Sequence, residues 1–354
     1  MSPSSVSDSA PAGTNIPLRD AWYFAAGSEQ LQRNRLVARS ILGEPVALGR
    51  DGSGQAFALR DICPHRGYPL SLGPFDGAEV TCPYHGWRFG TDGACTAIPA
   101  IVESQQPGAG KIRVRRYPVR EQQGNIWIFV GDDEAIAPPI PEIPGLPLNA
   151  TPKLRERVVL EGGIDDAVVG LMDPAHGPFI HRSWFWRSGR ATRVKEKQFA
   201  PSPWGFTMLR HPPSNSRAYL ILGGSATTEI VFHLPAVRWE HIIAGTQTMC
   251  HFTTLTPVTP ERTEITHSIY WTQPWLTPLK PLLRPFVKTF LGQDRDAMAT
   301  QQIGLRHHPP LLLLGDPDAQ ARWYHRLKQE FLRAKAEGRM FENPVKPRTL
   351  QWRT

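Results

Sequence analysis

Short apolar runs separated by turn residues fill the first third of the chain, and this pattern predicts β structure. Residues 39–50 and 55–63 have strand-like composition and flank the turn sequence Asp-Gly-Ser-Gly at residues 51–54, which predicts a hairpin. Residues 111–120 alternate in polarity, and residues 125–130 form a continuous apolar run rich in strand-forming side chains. We therefore predict that the first part of the chain is an all-β domain.

A proline-rich stretch, residues 137–147, follows and is typical of a linker, so we expect a domain boundary near residue 145. Beyond it, an apolar run at residues 157–163 precedes a predicted helix around Asp166–Met172. Strand-like segments then recur and predict one antiparallel sheet; they are residues 218–224, 227–234, 238–245, 249–257 and 263–271.

From about residue 276 the pattern becomes helical. A C-terminal helix is predicted by apolar side chains at helical spacing, namely Trp323, Leu327, Phe331 and Ala334. The fold class is therefore predicted to be α+β. The predicted parts are a disordered tail at residues 1–16, an all-β domain at residues 17–145 and an α+β domain at residues 146–354.

Composition excludes several classes of protein. Of the 354 residues, 40% are apolar and 20% charged, which is typical of a globular protein, and the 35 prolines argue against a long helical bundle. The longest apolar runs are far shorter than the ~20 residues of a membrane helix. The N-terminus lacks the basic and apolar regions of a secretory signal, so we expect a cytoplasmic protein that does not bind membranes.

The net charge of +8 comes from basic residues that are scattered along the chain. This distribution favours a solvated basic surface or contact with an acidic protein partner over nucleic-acid binding.

Two short segments each combine a cysteine with a histidine. Cys63 and His65 stand two positions apart, 16 residues separate His65 from Cys82, and His85 follows Cys82 by three positions. Two thiolates and two imidazoles can bind one tetrahedral zinc ion, or they can hold a Rieske [2Fe–2S] cluster with two cysteines on one iron and two histidines on the other. Zinc fingers usually carry two like ligands on each arm, whereas each arm here carries one of each kind, which favours the cluster. The other two cysteines, Cys95 and Cys250, are predicted to be small, semi-buried core residues.

A second group of metal-ligand residues follows the first predicted helix. His176 and His181 are five positions apart and cannot share one face of a regular helix, but the Gly-Pro pair between them predicts an early helix end. His181 can then turn back toward His176. Two neutral imidazoles at one point are typical of mononuclear iron(II), which takes a carboxylate as third ligand. The candidates Asp294 and Asp296 lie two positions apart on a predicted helix, and the residues alone do not decide between them.

With these motifs, the chain resembles the catalytic α subunit of the Rieske non-haem iron oxygenases, from Leu18 to the C-terminal helix. Its length and its lack of a dinucleotide-binding domain are similar to the vanillate O-demethylase and dicamba monooxygenase branch. The resemblance implies an N-terminal all-β Rieske [2Fe–2S] domain over residues 17–145. It also implies a catalytic domain over residues 146–354, in which helices flank a large antiparallel sheet in a helix-grip-like arrangement.

The resemblance also implies roles for single residues. The implied ligands of the [2Fe–2S] cluster are Cys63, His65, Cys82 and His85. The implied ligands of the mononuclear iron are His176, His181 and Asp294, whereas Asp296 does not fit the family's register. Asp173 matches the catalytic aspartate that, in the family, links a cluster histidine of one subunit to an iron histidine of its neighbour.

Three positions concern the surroundings of the metals. Relatives often carry Asn where Gly170 stands and Glu where Gln293 stands, and neither departure removes a ligand. His267 falls on a strand that lines the substrate pocket in this branch. It therefore either binds a substrate oxygen or is a hydrogen-bonded histidine within the sheet.

The resemblance implies a terminal oxygenase component with two cofactors, the cluster and Fe(II). Such a component uses O2 and electrons from NAD(P)H, delivered by a separate ferredoxin or reductase, to hydroxylate or O-/N-demethylate an aromatic or related small organic substrate. A homotrimer is implied as well. Ring dihydroxylation to a cis-dihydrodiol is an alternative, because it uses the same metal ligands. An electron carrier without oxygenase activity is a further alternative, against which the complete second ligand set argues.

Overall fold

The computed structural model describes residues 8–9, 15–105, 111–181, 193–213 and 226–353. The predicted strand at residues 218–224 and the aromatic triplet at residues 184–186 lie outside these ranges. The chain forms two compact units. The N-terminal unit comprises residues 19–142 and 147–151, and the C-terminal unit comprises residues 1–18, 143–146 and 152–354. The chain passes between them around the proline-rich stretch, while the domain boundary at residue 145 stays a prediction.

The N-terminal unit is built from strands, as predicted. In chain order the strands begin with β1 (Asp8–Ser9), which belongs to the C-terminal unit. Those of the N-terminal unit are β2 (Ala21–Gly27), β3 (Val37–Ile41), β4 (Glu44–Arg50), β5 (Ala56–Arg60), β6 (Glu79–Thr81), β7 (Arg88–Gly90), β8 (Cys95–Ala97), β9 (Arg116–Tyr117), β10 (Val119–Gln122) and β11 (Asn125–Val130). They form three antiparallel sheets in the orders β10-β11-β2, β3-β4-β5-β9 and β6-β7-β8.

The hairpin predicted at residues 51–54 joins β4 to β5. The Asp51 carboxylate accepts hydrogen bonds from the Gln55 amide at 2.8 Å and the Ser53 hydroxyl at 2.6 Å, which closes the turn. One apolar cluster packs β2 against β4, β5 and β11. A second cluster surrounds the buried side chains of Cys63 and Cys82. The segments that contain the predicted cluster ligands are therefore anchored in a packed core.

The C-terminal unit combines one large sheet with helices. Its strands are β1, β12 (Leu154–Glu161), β13 (Val194–Ser202), β14 (Gly205–His211), β15 (Thr227–His233), β16 (Val237–Ala244), β17 (Gln247–Thr259), β18 (Arg262–Trp271), β19 (Leu312–Leu313) and β20 (Arg348–Arg353). Its helices are α1 (Ile164–Met172), α2 (Gly177–Ile180), α3 (Lys280–Leu305), α4 (Ala319–Glu337) and a 3₁₀ helix at Pro274–Leu279. Eight strands form one antiparallel sheet in the order β12-β18-β17-β16-β15-β14-β13-β20, so the predicted α+β class with helices flanking a large antiparallel sheet is confirmed.

Side chains from two distant parts of the chain hold helix α1 in place. The Asn15 side chain caps the first turn of α1. Its amide oxygen accepts from the backbone amide of Asp165 at 3.0 Å, and its amide nitrogen donates to the Asp166 carboxylate. The buried Asp165 carboxylate accepts from the Tyr324 hydroxyl at 2.6 Å and binds the Lys328 ammonium at 2.6 Å, which ties α1 to α4. Helix α1 ends at Met172, directly before the second group of predicted metal ligands.

Within the described part of the chain, none of the helices is long and apolar enough to cross a membrane.

Candidate metal centres

Two loops of the N-terminal unit have nearly the same backbone geometry. In the first, the Cys63 amide donates to the Tyr68 carbonyl and the Gly67 amide donates back to the Cys63 carbonyl, both at 2.8 Å. In the second, the Cys82 carbonyl accepts from the Gly86 amide at 2.9 Å in the same way. Gly67 and Gly86 both have a φ of +73°, in the left-handed region that favours glycine. The Cys-Pro start and the glycine end therefore produce two equivalent tight turns.

Each loop presents one buried sulfur and one outward imidazole. Cys63 and Cys82 are buried, while His65 is exposed and His85 is half-buried. The two imidazole rings lie edge to face with centroids 4.7 Å apart, and Trp87 stacks on His65 at 4.9 Å. Burial raises the pKa of the Cys63 thiol, and a bound metal ion would favour its thiolate form.

The placement of these side chains bears on the two metals that the sequence left open. The two sulfurs are buried in one core cluster, while the two imidazoles contact each other on the outer side of the loops. A [2Fe–2S] cluster takes two thiolates on one iron and two imidazoles on the other, and this pairing of like ligands fits such a cluster. In the described residues, the group of His, Cys, Asp or Glu side chains whose donor atoms all lie within 4.8 Å of one another is elsewhere.

The group that does converge consists of His176, His181 and Asp294. Helix α2 is a single turn between the two histidines, and the amide of Ile180 donates to the carbonyl of His176 at 2.9 Å. This turn carries His181 back toward His176. The sequence predicts that Gly177 and Pro178 end the preceding helix, but α1 already ends at Met172 and the pair instead begins this turn, where proline is tolerated because the first turn needs no amide donor. Helix α3 contributes Asp294 from more than a hundred residues along the chain.

The three donor atoms form a compact triangle. The two Nε2 atoms of His176 and His181 lie 3.1 Å apart, and the Oδ1 atom of Asp294 lies 3.2 Å and 3.9 Å from the Nε2 atoms of His181 and His176. A point about 2 Å from all three atoms exists, which is near the usual distance between a metal and a histidine nitrogen or carboxylate oxygen. The residues therefore fit a mononuclear iron with open positions. Asp296 instead points to solvent and pairs with Arg295 at 2.8 Å, so the structure brings Asp294 to the histidines and leaves Asp296 out.

Two side chains of α3 fix the orientation of the His181 ring. The Nδ1–H of His181 donates to the Gln293 amide oxygen at 3.1 Å, which leaves its Nε2 lone pair free to face the centre of the triangle. The Phe290 ring stacks on the same imidazole at 3.8 Å. Gln293 thus supplies an acceptor at the position where relatives often carry Glu. Phe290 was not predicted, although it lies one helical turn before Asp294.

Asp173 lies beside the other histidine. Its Oδ2 atom is 3.6 Å from Nδ1 of His176, and its Oδ1 atom accepts from the Ala175 amide at 2.7 Å. Burial lowers the pKa of His176, but the neighbouring Asp173 and the charge of Asp294 together raise that pKa on balance. The carboxylate thus favours the ring orientation in which Nδ1 carries hydrogen and Nε2 faces the other ligands. Its bridging role between subunits stays a prediction.

The triangle opens into a cavity of about 770 Å³. Most of its wall is apolar and comes from α1, α3 and the sheet. The larger apolar side chains that line it are Leu154, Leu160, Leu171, Ile180, Ile242, Met249, Ile265, Ile269, Trp271, Leu276, Leu279, Leu282, Leu283, Phe286, Val287, Phe290, Leu291 and Met298. Such a volume is in the range that binds molecules with several rings or a ring with a long substituent.

His267 faces this cavity from β18, where the sequence predicts a pocket residue. Its Nδ1 lies 2.8 Å from the Thr253 hydroxyl, and its Nε2 lies 3.2 Å from Nδ1 of His251. Burial lowers the pKa of His267 well below its usual value, so the ring is neutral. His267 is therefore both a hydrogen-bonded residue of the sheet and part of the cavity wall, and contact with substrate stays a prediction. His251 was missed, although it lies inward on β17 two positions before Thr253.

Comparison with known proteins bears directly on the first of these two centres. Residues 21–118 match the family described as the Rieske [2Fe-2S] domain. Chlorophyllide a oxygenase of Chlamydomonas reinhardtii is 39% identical over 181 residues, which are 48% of this chain and 25% of that protein. The oxygenase component of dicamba O-demethylase from Stenotrophomonas maltophilia is 38% identical over 170 residues, 47% of this chain and 48% of that protein. The aligned parts thus span a quarter to a half of these relatives.

The fold of the whole chain is similar to a solved structure. The crystal structure of dicamba monooxygenase bound to dicamba superposes with a TM-score of 0.70 and covers 90% of this chain and 98% of that one. Its sequence identity is 22%, so this likeness concerns the fold alone. The N-terminal part of the chain therefore contains a Rieske [2Fe-2S] domain, and the fold of the whole chain is like that of dicamba monooxygenase.

Proposed function

We propose that this protein is the terminal oxygenase component of a Rieske-type monooxygenase, which hydroxylates or O-/N-demethylates an aromatic or related organic substrate. The observation that carries this proposal is the triangle of His176, His181 and Asp294 at the wall of a large apolar cavity, in a chain that also contains a Rieske domain. An electron carrier has no use for a second, open ligand set beside a cavity.

When bound, the cluster supplies single electrons and the mononuclear iron supplies the open positions at which O2 is activated. The chain itself performs three tasks around them. Gln293 orients His181 by accepting a hydrogen bond from its Nδ1–H, and Asp173 orients His176 by placing a carboxylate opposite its Nδ1 atom. The apolar wall excludes water from the reacting centre. The same wall binds the substrate and holds one of its C–H bonds toward the triangle.

The partners follow from the same proposal. We infer a ferredoxin or ferredoxin reductase as electron donor, and a homotrimer in which Asp173 links the iron site to the cluster of the next subunit. A cytoplasmic location is the simplest setting for such a system. The outward position of His65 supports electron entry at the cluster loops, because the exposed imidazole edge can approach a donor or a neighbouring subunit.

The test is product analysis with the purified full-length protein, a surrogate ferredoxin and reductase, NADH and oxygen. Methoxy- and N-methyl-aromatic compounds of one to three rings are assayed for formaldehyde, and plain aromatic acids are assayed for diols. We expect formaldehyde in proportion to substrate lost. Diol without formaldehyde would move the chain to the ring-hydroxylating dioxygenases. A protein with two irons per two sulfides, rather than three, would be an electron carrier.

A further inference from the structure

A second, smaller cavity adjoins the large one. Its volume is about 270 Å³. Four residues line both spaces, namely Leu171, Asp173, Arg238 and Glu240. A molecule whose body occupies the large cavity can therefore extend a substituent into the small one past Arg238.

The small cavity is rich in cationic side chains. Lys195 and Lys197 stand two positions apart on β13, so both point to the face of the sheet that also presents Arg238 on β16. All three are half-buried. Burial lowers the pKa of Lys195, and burial together with the charge of Lys195 lowers the pKa of Lys197. Cations crowded in this way are costly unless an anion lies between them.

Within the described part of the chain, none of these three cations has a hydrogen bond or an ion pair from its side chain. The two acidic residues of the same wall are engaged elsewhere. The Glu240 carboxylate accepts from the Thr228 hydroxyl at 3.0 Å, and Asp173 faces His176 and the Ala175 amide. The cavity thus has positive groups that can bind a ligand.

One row of polar residues crosses three neighbouring strands of the sheet next to the two cavities. Arg238 pairs across the sheet with Thr253 on β17, which pairs with His267 on β18. The row connects the small cavity to the polar patch of the large one. The polar pair Glu240 and His251 lies beside it, and Ile265 and Ile269 flank His267 on β18. A ligand that follows this row meets hydrogen-bonding groups at its acidic end and apolar groups along its body.

We propose that the small cavity is an anion-binding subsite of the substrate site, and that the substrate is an amphiphilic organic acid. Its apolar body lies in the large cavity, and its carboxylate lies between Arg238, Lys195 and Lys197. This inference rests on the proposed function, because it assigns the large cavity to the substrate. Charge-assisted hydrogen bonds of this kind are worth roughly ten- to a hundredfold in affinity each.

The test compares two ligands that differ in one charge, a methoxynaphthylacetate and its primary amide. Their binding to the full-length holoprotein is measured by the fluorescence of the naphthalene ring, without electron donor. We expect the acid to bind at least about tenfold more tightly than the amide. Arg238→Gln should abolish this preference, and the double variant Lys195→Gln/Lys197→Gln should reduce it. In both variants the acid should lose much more affinity than the amide.

Lys346→Gln is the matched control, because Lys346 is exposed and lies outside both cavities. It should keep the full preference for the acid. Equal binding of acid and amide by the unaltered protein would overturn the subsite. The molar mass of the lysine variant is measured by light scattering. A variant that dissociates but still prefers the acid would also overturn the subsite, because the lysines would then bind an acidic surface of a second copy. Formaldehyde release from the amide tests the oxygenase itself and is scored separately.

Discussion

The two candidate metal centres of this protein are built in opposite ways. In the N-terminal unit, two equivalent loops each supply one cysteine and one histidine, and each loop is closed by the same backbone hydrogen bond and a left-handed glycine. In the C-terminal unit, one short turn supplies two histidines and a distant helix supplies the carboxylate. The first centre depends on local chain geometry, whereas the second depends on the packing of α3 beside the end of α1.

The two centres also differ in their access. His65 is exposed at the tip of its loop, while His181 is buried under Phe290. An exposed imidazole suits electron exchange with another protein, and a buried one suits chemistry that must be shielded from water. The following predictions test this contrast, from the largest expected effect to the smallest.

Removal of one cluster ligand is expected to abolish the first centre and spare the second. Cys63→Ala should lower acid-labile sulfide from about two per chain to none, because a two-iron cluster does not survive the loss of a thiolate. About one iron per chain should remain at the triangle of His176, His181 and Asp294. Sulfide and iron assays with the visible spectrum measure both.

Cys250→Ala is the control for that variant. Cys250 is buried in β17 and its pKa is raised by burial, so we expect an inert core thiol and an unchanged sulfide content. A cluster that persists in Cys63→Ala, or disappears in Cys250→Ala, would contradict the ligand assignment.

The carboxylate of the second centre is tested by two neighbouring variants. Asp294→Asn should cost more than about a hundredfold in product formation and should lower the iron content by about one per chain, since even the loss of an outer-shell partner costs 10–100-fold. Asp296→Asn should retain both, because Asp296 lies at the surface on Arg295. The visible spectrum of the cluster should be the same in both proteins. Equal loss in the two variants would show that α3 was disturbed as a whole.

The support of the second centre is tested far from the metal. Lys328→Met leaves the Asp165 carboxylate buried without its cation and should lower the free energy of unfolding by about 3–5 kcal/mol. Chemical denaturation followed by tryptophan fluorescence measures this loss. Tyr324→Phe removes one hydrogen bond to the same carboxylate and should cost about 1 kcal/mol. If the first centre is locally built, its visible absorption at low denaturant is unchanged in Lys328→Met.

The smallest effect is expected from replacing the residue that orients the His181 ring. Gln293→Leu removes the acceptor for Nδ1–H and should weaken iron binding about 10–100-fold, as measured by competition with a chelator. Gln293→Glu keeps an acceptor at the same place and should bind iron at least as tightly as the unaltered protein. Weakening by both variants to the same degree would point to packing rather than to the hydrogen bond.

The sequence predicted those parts of the molecule whose signal is local. The hairpin at Asp51, the strands of the large sheet with clear alternation and the C-terminal helix are confirmed. Strands β13 and β20 were not predicted, because β13 contains a run of charged and polar side chains at residues 195–198 and pairs with a strand from the far end of the chain. In the same way, both cysteine–histidine loops follow from spacing, and the choice between Asp294 and Asp296 does not. That choice depends on which side of α3 faces a loop over a hundred residues away.

The cap on α1 has a practical consequence for handling the protein. Asn15 binds the first turn of α1, and α1 leads directly to Asp173 and the turn that contains the predicted iron ligands. A protease cut or an affinity-tag junction placed just after residue 15 would remove this amide and expose two helix donors to water. We therefore expect preparations shortened there to lose bound iron on storage sooner than preparations shortened at residue 7, although both keep every ligand.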